Sequence, residues 1–106
     1  MLVEQRVYTI KPGRVTEYLA LYEREGFAVQ CKHLGNPVGY YSSEVGELNQ
    51  LIHMWAYADL GDRYERRRAL FADPDWQRVV VKLYALIDRM ENRLLLPAPF
   101  FQIRNV

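Results

Sequence analysis

The stretch Gly46-Glu47-Leu48-Asn49-Gln50-Leu51-Ile52-His53-Met54-Trp55-Ala56-Tyr57 decides the fold. Gly46-Glu47 reads as a turn, and the residues after it alternate. Leu51, His53, Trp55 and Tyr57 point one way, while Ile52, Met54, Ala56 and Ala58 point the other. A side-chain period of two is that of a strand, so this is one strand with two unlike faces. The Ile52 face is compact and apolar, as expected beneath packed helices. The His53 face carries an imidazole, an indole and a phenol, which pack and hydrogen-bond at once. On this reading the aromatic face lies uncovered by helices and needs a second cover.

Around that strand the chain is modest in size and balanced in charge. Its 106 residues, half of them hydrophobic, fit one domain. Fourteen Lys and Arg against 13 Asp and Glu leave no field to attract nucleic acid or an anionic membrane. Cys31 is the single cysteine, which excludes an internal disulfide and suits a reducing compartment. The start, Met1 to Tyr8, lacks the basic and apolar regions of a signal peptide, and no apolar run approaches the ~20 residues of a membrane span. The expectation is a cytoplasmic protein.

Val3 to Ile10 reads as the first strand, with Val3 and Val7 on one face and Arg6, Tyr8 and Ile10 on the other. Pro12-Gly13 breaks it. From Arg14 the period becomes helical through Val15, Tyr18, Leu19 and Tyr22, with a kink or break expected at Gly26 and a stop at Gly35. Val38 to Val45 is the second strand, joined by Gly46-Glu47 to the third as a hairpin. Asp59 is positioned to cap the next helix, whose stripe is Leu60, Tyr64, Leu70 and Phe71. Asp73-Pro74-Asp75 then places a cap, a proline at the first helical position and an acid in the first turn. Trp76, Val79, Val80, Leu83, Tyr84, Ile87 and Met90 carry the helical spacing onward. Arg93 to Leu96 begins a fourth strand, which Pro97 and Pro99 confine to an edge or a tail.

Strand, helix, strand, strand, helix pair, strand is the split βαβ, ferredoxin-like order, an α+β protomer with helices on one face of a four-stranded antiparallel sheet. The third strand sits centrally beside the first. His53, Trp55 and Tyr57 then share the open face with Arg6, Tyr8 and Tyr41. An aromatic face of that size marks an interface, and the simplest cover is a second copy related by a two-fold axis. Two such sheets close into a barrel with an internal cavity.

Several blocks together resemble the NIPSNAP family of the dimeric α/β-barrel superfamily. They are Arg6-Val7-Tyr8 with Pro12-Gly13, Ser43 to Gln50, His53-Met54-Trp55-Ala56-Tyr57, Arg63 with Arg67, Asp73-Pro74-Asp75-Trp76, and Pro97-Ala98-Pro99-Phe100. The resemblance runs over nearly the whole chain, and residues 1–106 are read as one such domain. It implies a ferredoxin-like protomer and a two-sheet barrel. Relatives in the wider superfamily include monooxygenases, lactone isomerases and haem enzymes, and kinship of fold alone assigns no activity.

His53 is the leading chemical candidate, as a general base or proton shuttle for a ligand in the barrel. The competing reading is a structural histidine bonded across the sheet. Arg6 and Tyr8 are placed to bind a carboxylate or enolate beside it, against a plain salt bridge from Arg6 to Glu44 or Glu91 or simple exposure at the strand end. Trp55, Tyr57, Tyr40 and Tyr41 make either an aromatic pocket or the packed centre of a dimer. Arg63, Arg66, Arg67 and Arg68 read as a solvated helical face, with Arg67, three residues after Tyr64 and four before Phe71, as the one that turns inward onto a carboxylate. His33 and Cys31 do not form a metal site, and neither haem nor metal is expected as a cofactor. Two functions remain open: a homodimer binding a small apolar or aromatic molecule in its cavity, with proton transfer or cofactor-free oxygenation as its chemistry, or a non-enzymatic scaffold dimer whose aromatic face is only the dimer core.

Overall fold

The computed structural model describes residues 1–104. β1 (Leu2–Ile10) is followed by a continuous helical run made of α1 (Val15–Leu21), a π turn (Tyr22–Gly26) and α2 (Phe27–Leu34). Then come β2 (Gly39–Ser42), β3 (Gln50–Tyr57), α3 (Leu60–Ala72), α4 (Pro74–Tyr84) and β4 (Ile87–Leu95). The four strands form one antiparallel sheet in the order β2-β3-β1-β4, with β3 beside β1 at the centre. This is the ferredoxin-like α+β arrangement.

Local chemistry sets most of the boundaries. Asp59 caps α3 by accepting a hydrogen bond from the Asp62 amide, and Asp73 caps α4 by accepting one from Asp75, with Pro74 at the first position. Gly35 ends α2 at φ 80°, a conformation that favours glycine. At Gly26 the helix widens into a π turn instead of breaking. A side chain there would meet the Tyr22 ring at 3.0 Å and Trp76 at 3.5 Å, so glycine is what lets these aromatics close over the backbone.

Three expectations are corrected. β2 covers four residues rather than Val38 to Val45, because Ser43 to Asn49, exposed from Glu44 to Leu48, form a loop with Gly46 at φ 112° and Asn49 at φ 63°. α4 ends at Tyr84, and the fourth strand starts at Ile87 rather than Arg93. Ile87 and Met90 fit the helical spacing, yet they pair across from Ile10 and Tyr8, because β1 has a free edge whose backbone groups require a partner.

The third correction concerns the faces of the sheet. Helices cover the aromatic face, not the apolar one. Tyr8, Ile10, Leu51, Trp55 and Tyr57 form a single core cluster with Tyr18, Tyr22, Leu34, Leu70, Trp76, Val79 and Leu83 from the helices. His53 is 1% exposed and Arg6 lies opposite it on the same face. The other face carries Val7, Ile52 and Met54, half-buried, and Tyr41, 58% exposed and paired with Ile52. Tyr41 therefore does not join His53. Large aromatics supply the volume that the sheet–helix interface needs, and Trp55 Nε1 and Tyr8 Oη find partners within it, so polarity did not mark the solvent side.

Candidate functional site

The buried end of the site is built on Glu4, a fully buried carboxylate of β1. Its Oε2 accepts hydrogen bonds from Arg6 Nη1 at 2.8 Å, Arg63 Nη2 at 2.7 Å and Asn92 Nδ2 at 2.8 Å. One carboxylate thus ties together β1, α3 and β4. Burial by itself would raise the Glu4 pKa. The hydrogen bonds from Arg63 and Asn92 and the charges of Arg6 and Arg67 outweigh that and hold it at about 2. Arg6 also donates from Nε to Tyr8 Oη at 2.9 Å. Its salt bridge goes to Glu4, and neither Glu44 nor Glu91 takes it.

His53 sits at the centre, with Arg6 across from it on β1 and Tyr40 across from it on β2. The Tyr40 ring stacks on the imidazole at 4.7 Å and Tyr8 meets it edge-on at 4.7 Å. Trp55 Nε1 donates to His53 Nδ1 at 2.7 Å. An indole N–H can only donate, so Nδ1 is an acceptor and the ring proton of the neutral imidazole is on Nε2. Burial first, and then the charge of Arg6, push the His53 pKa down to about 3. His53 is therefore neutral near pH 7 and offers an N–H. In this geometry His53 presents a hydrogen-bond donor toward its surroundings.

Between sheet and helices, these residues border a cavity whose void is about 20 Å³, room for one water-sized group. Arg6, Tyr8, Tyr40 and His53 line it from the sheet, and Tyr18, Tyr22, Arg67, Phe71 and Trp76 from the helices. Tyr22 and Tyr40, stacked at 5.1 Å, also wall an open groove of about 490 Å³ that runs along Thr16, Leu19, Ala20, Glu23 and Phe27. Tyr22 is held from behind by donating to Gln30 Oε1. Among the described residues, the lining atoms that are buried without a hydrogen-bond partner are His53 Nε2 and Trp76 Nε1.

The structure brings Arg6, Tyr8 and His53 to one cavity and places Trp55 and Tyr57 in the core beside it, while Tyr41 lies on the opposite face. Arg67 turns inward as expected, but its guanidinium sits over the Phe71 ring at 5.5 Å and makes no ion pair among the described residues. Its charge acts on the Tyr57 phenol without a hydrogen bond of good geometry between them. Glu4 escaped the sequence reading, although its place two residues before Arg6 puts it on the same face. Tyr18, Tyr22 and Trp76 read only as core positions. His33 contacts Asp73 at 2.8 Å, tying α2 to the α4 cap. Among the described residues, no three His, Cys, Asp or Glu side chains group as a metal site needs, and no helix is long and apolar enough to cross a membrane.

The NIPSNAP family model matches residues 3–102. A NipSnap homolog from Dictyostelium discoideum is 36% identical over 94 residues, 89% of this chain and 41% of that protein. Human NipSnap homolog 2 is 33% identical over 97 residues, 91% of this chain and 33% of that protein. The chain thus spans about a third to two-fifths of the length of these relatives. A crystal structure of a NIPSNAP family protein from Agrobacterium tumefaciens is 48% identical, with TM-score 0.94, covering 97% of this chain and 98% of the other. A putative antibiotic biosynthesis monooxygenase from Nitrosomonas europaea shares the fold at TM-score 0.67 and 9% identity, covering 92% and 98%.

Proposed function

This chain belongs to the NIPSNAP family, and from that premise we propose that it is a homodimer binding a small apolar or aromatic molecule between its own sheet and helices, not in a barrel lumen. The carrying observation is the aromatic partition of Tyr22 and Tyr40, which separates a buried polar cavity from an apolar-walled groove of ligand size. The lining includes no carboxylate or free imidazole nitrogen to take a proton. Oxyanion stabilisation by donors is the chemistry the site supports, in preference to general-base catalysis. The fold shared with the Nitrosomonas protein is compatible with cofactor-free oxygenation of a bound molecule and carries no weight beyond that.

Ala20 lines the groove and is exposed, so Ala20→Trp fills the groove without touching the core. Native mass spectrometry and thermal-shift measurements with neutral aromatic compounds should detect a ligand in the wild type and none in this variant. Equal capture by both proteins would sink the reading.

A second reading, an interaction dimer without chemistry, draws on the helix-free sheet face of Val7, Ile52, Met54 and exposed Tyr41. That face, apolar along Val7, Ile52 and Met54 and charged along Arg89, Glu91 and Arg93, is also where the proposed two-fold partner docks.

A further inference from the structure

The cavity is unbalanced in two independent ways. Its unpartnered buried polar atoms, His53 Nε2 and Trp76 Nε1, are both N–H donors, on residues 1% and 5% exposed. Such donors require an acceptor, since a buried polar group without one is costly. Its charges are also unequal. Arg6 and Arg67 are the charged residues that line it; Arg6 pairs with Glu4 behind the wall, and Arg67 lies over Phe71 with no ion pair among the described residues. Glu4 Oε1 has no partner either, but Glu4 is not among the residues lining the cavity.

We propose that this cavity receives the oxyanion of an aromatic acid, a carboxylate or the like-shaped enolate, held by His53 Nε2–H, Trp76 Nε1–H and the Arg67 guanidinium. The inference rests on the small-molecule reading and names its ligand class. The void has room for one water-sized group, so a single oxygen of the anion enters past Tyr22 and Tyr40 and the ring lies along Leu19, Ala20 and Phe27. Two N–H donors and a guanidinium match the lone pairs and the charge of one anionic oxygen. A neutral amide of the same shape offers a carbonyl oxygen to the same donors but no charge to the Arg67 guanidinium.

The test compares 2-naphthoate with the isosteric, neutral 2-naphthamide, titrated against the wild-type protein by tryptophan fluorescence, with the Trp76 indole N–H followed by NMR. Naphthoate should bind at least about tenfold more tightly and move that resonance downfield. Arg67→Gln should bring the two affinities together, and Arg67→Lys should restore part of the difference, with melting temperatures confirming that both variants are folded. Equal affinity for the two probes, abolished together by Ala20→Trp, would overturn the oxyanion assignment and leave the groove as a ligand site. Binding of neither probe overturns both. A naphthoate preference that survives Arg67→Gln and leaves the Trp76 resonance unmoved would place the anion on the outer surface, against the proposal.

Discussion

At the residue scale, Glu4 and His53 make the fold sensitive to acid in the same direction. His53 is neutral in the fold, with a pKa near 3, whereas in the unfolded chain it takes a proton below about 6.5. The unfolded state then binds more protons, so stability declines as pH falls from 6.5 toward 3. Glu4 is ionised in the fold down to about pH 2, against 4.5 when unfolded. Its contribution is complete above 4.5 and is lost between 4.5 and 2, with a ceiling of about 3 kcal/mol. Urea titrations across pH 5 to 7 should show stability falling on acidification, and His53→Gln, which does not titrate, should flatten that slope. An unchanged slope would place a protonatable His53 in solvent. Glu4→Gln removes the anion beneath two partly buried arginines and should cost about 1–3 kcal/mol at pH 7. A loss under 1 kcal/mol in chemical denaturation would contradict the buried network.

At the scale of elements, the π turn is where helix propensity and packing disagree. Exchanging a helical glycine for alanine ordinarily stabilises by about 1 kcal/mol. At Gly26 the added carbon meets the Tyr22 ring at 3.0 Å, and that ring is pinned by its stack on Tyr40 and its bond to Gln30. Gly26→Ala should therefore lower stability by about 1–3 kcal/mol and disturb the partition between cavity and groove. Thermal unfolding settles the sign, and a raised melting temperature would mean that Tyr22 moves freely. The capping of α4 is simpler. Asp73→Ala removes both the Asp75 cap and the His33 contact and should cost about 1–2 kcal/mol, measurable in the same experiment.

At the scale of the molecule, the inverted sheet changes which residue tests self-association. Trp55 is fully buried under the helices, so Trp55→Asp should unfold the protein and says nothing about a dimer. Met54 lies on the helix-free face. Met54→Asp should leave the circular dichroism spectrum intact and shift light-scattering mass from dimer to monomer at micromolar concentration. A wild-type protein that stays monomeric throughout that range would remove the proposed two-fold partner.

The sequence by itself determined the order of elements, the caps at Asp59 and Asp73, the stop at Gly35, and the alternation that places Leu51, His53, Trp55 and Tyr57 together. These are local properties, fixed by backbone geometry within a few residues. It also put Arg6 with Tyr8 on one face of β1, while the register that sets them beside His53 belongs to the pairing of β1 with β3. Which face the helices take was decided only in three dimensions. An alternating strand looks the same from either side until the hydrogen bonds of its polar groups are located. The partners of Glu4 come from Arg63 and Asn92, 59 and 88 positions away, and no local pattern announces them. The extent of β4 was settled in the same way, by the free edge of β1. So was the tautomer of His53, which the proton that Trp55 places against Nδ1 fixes.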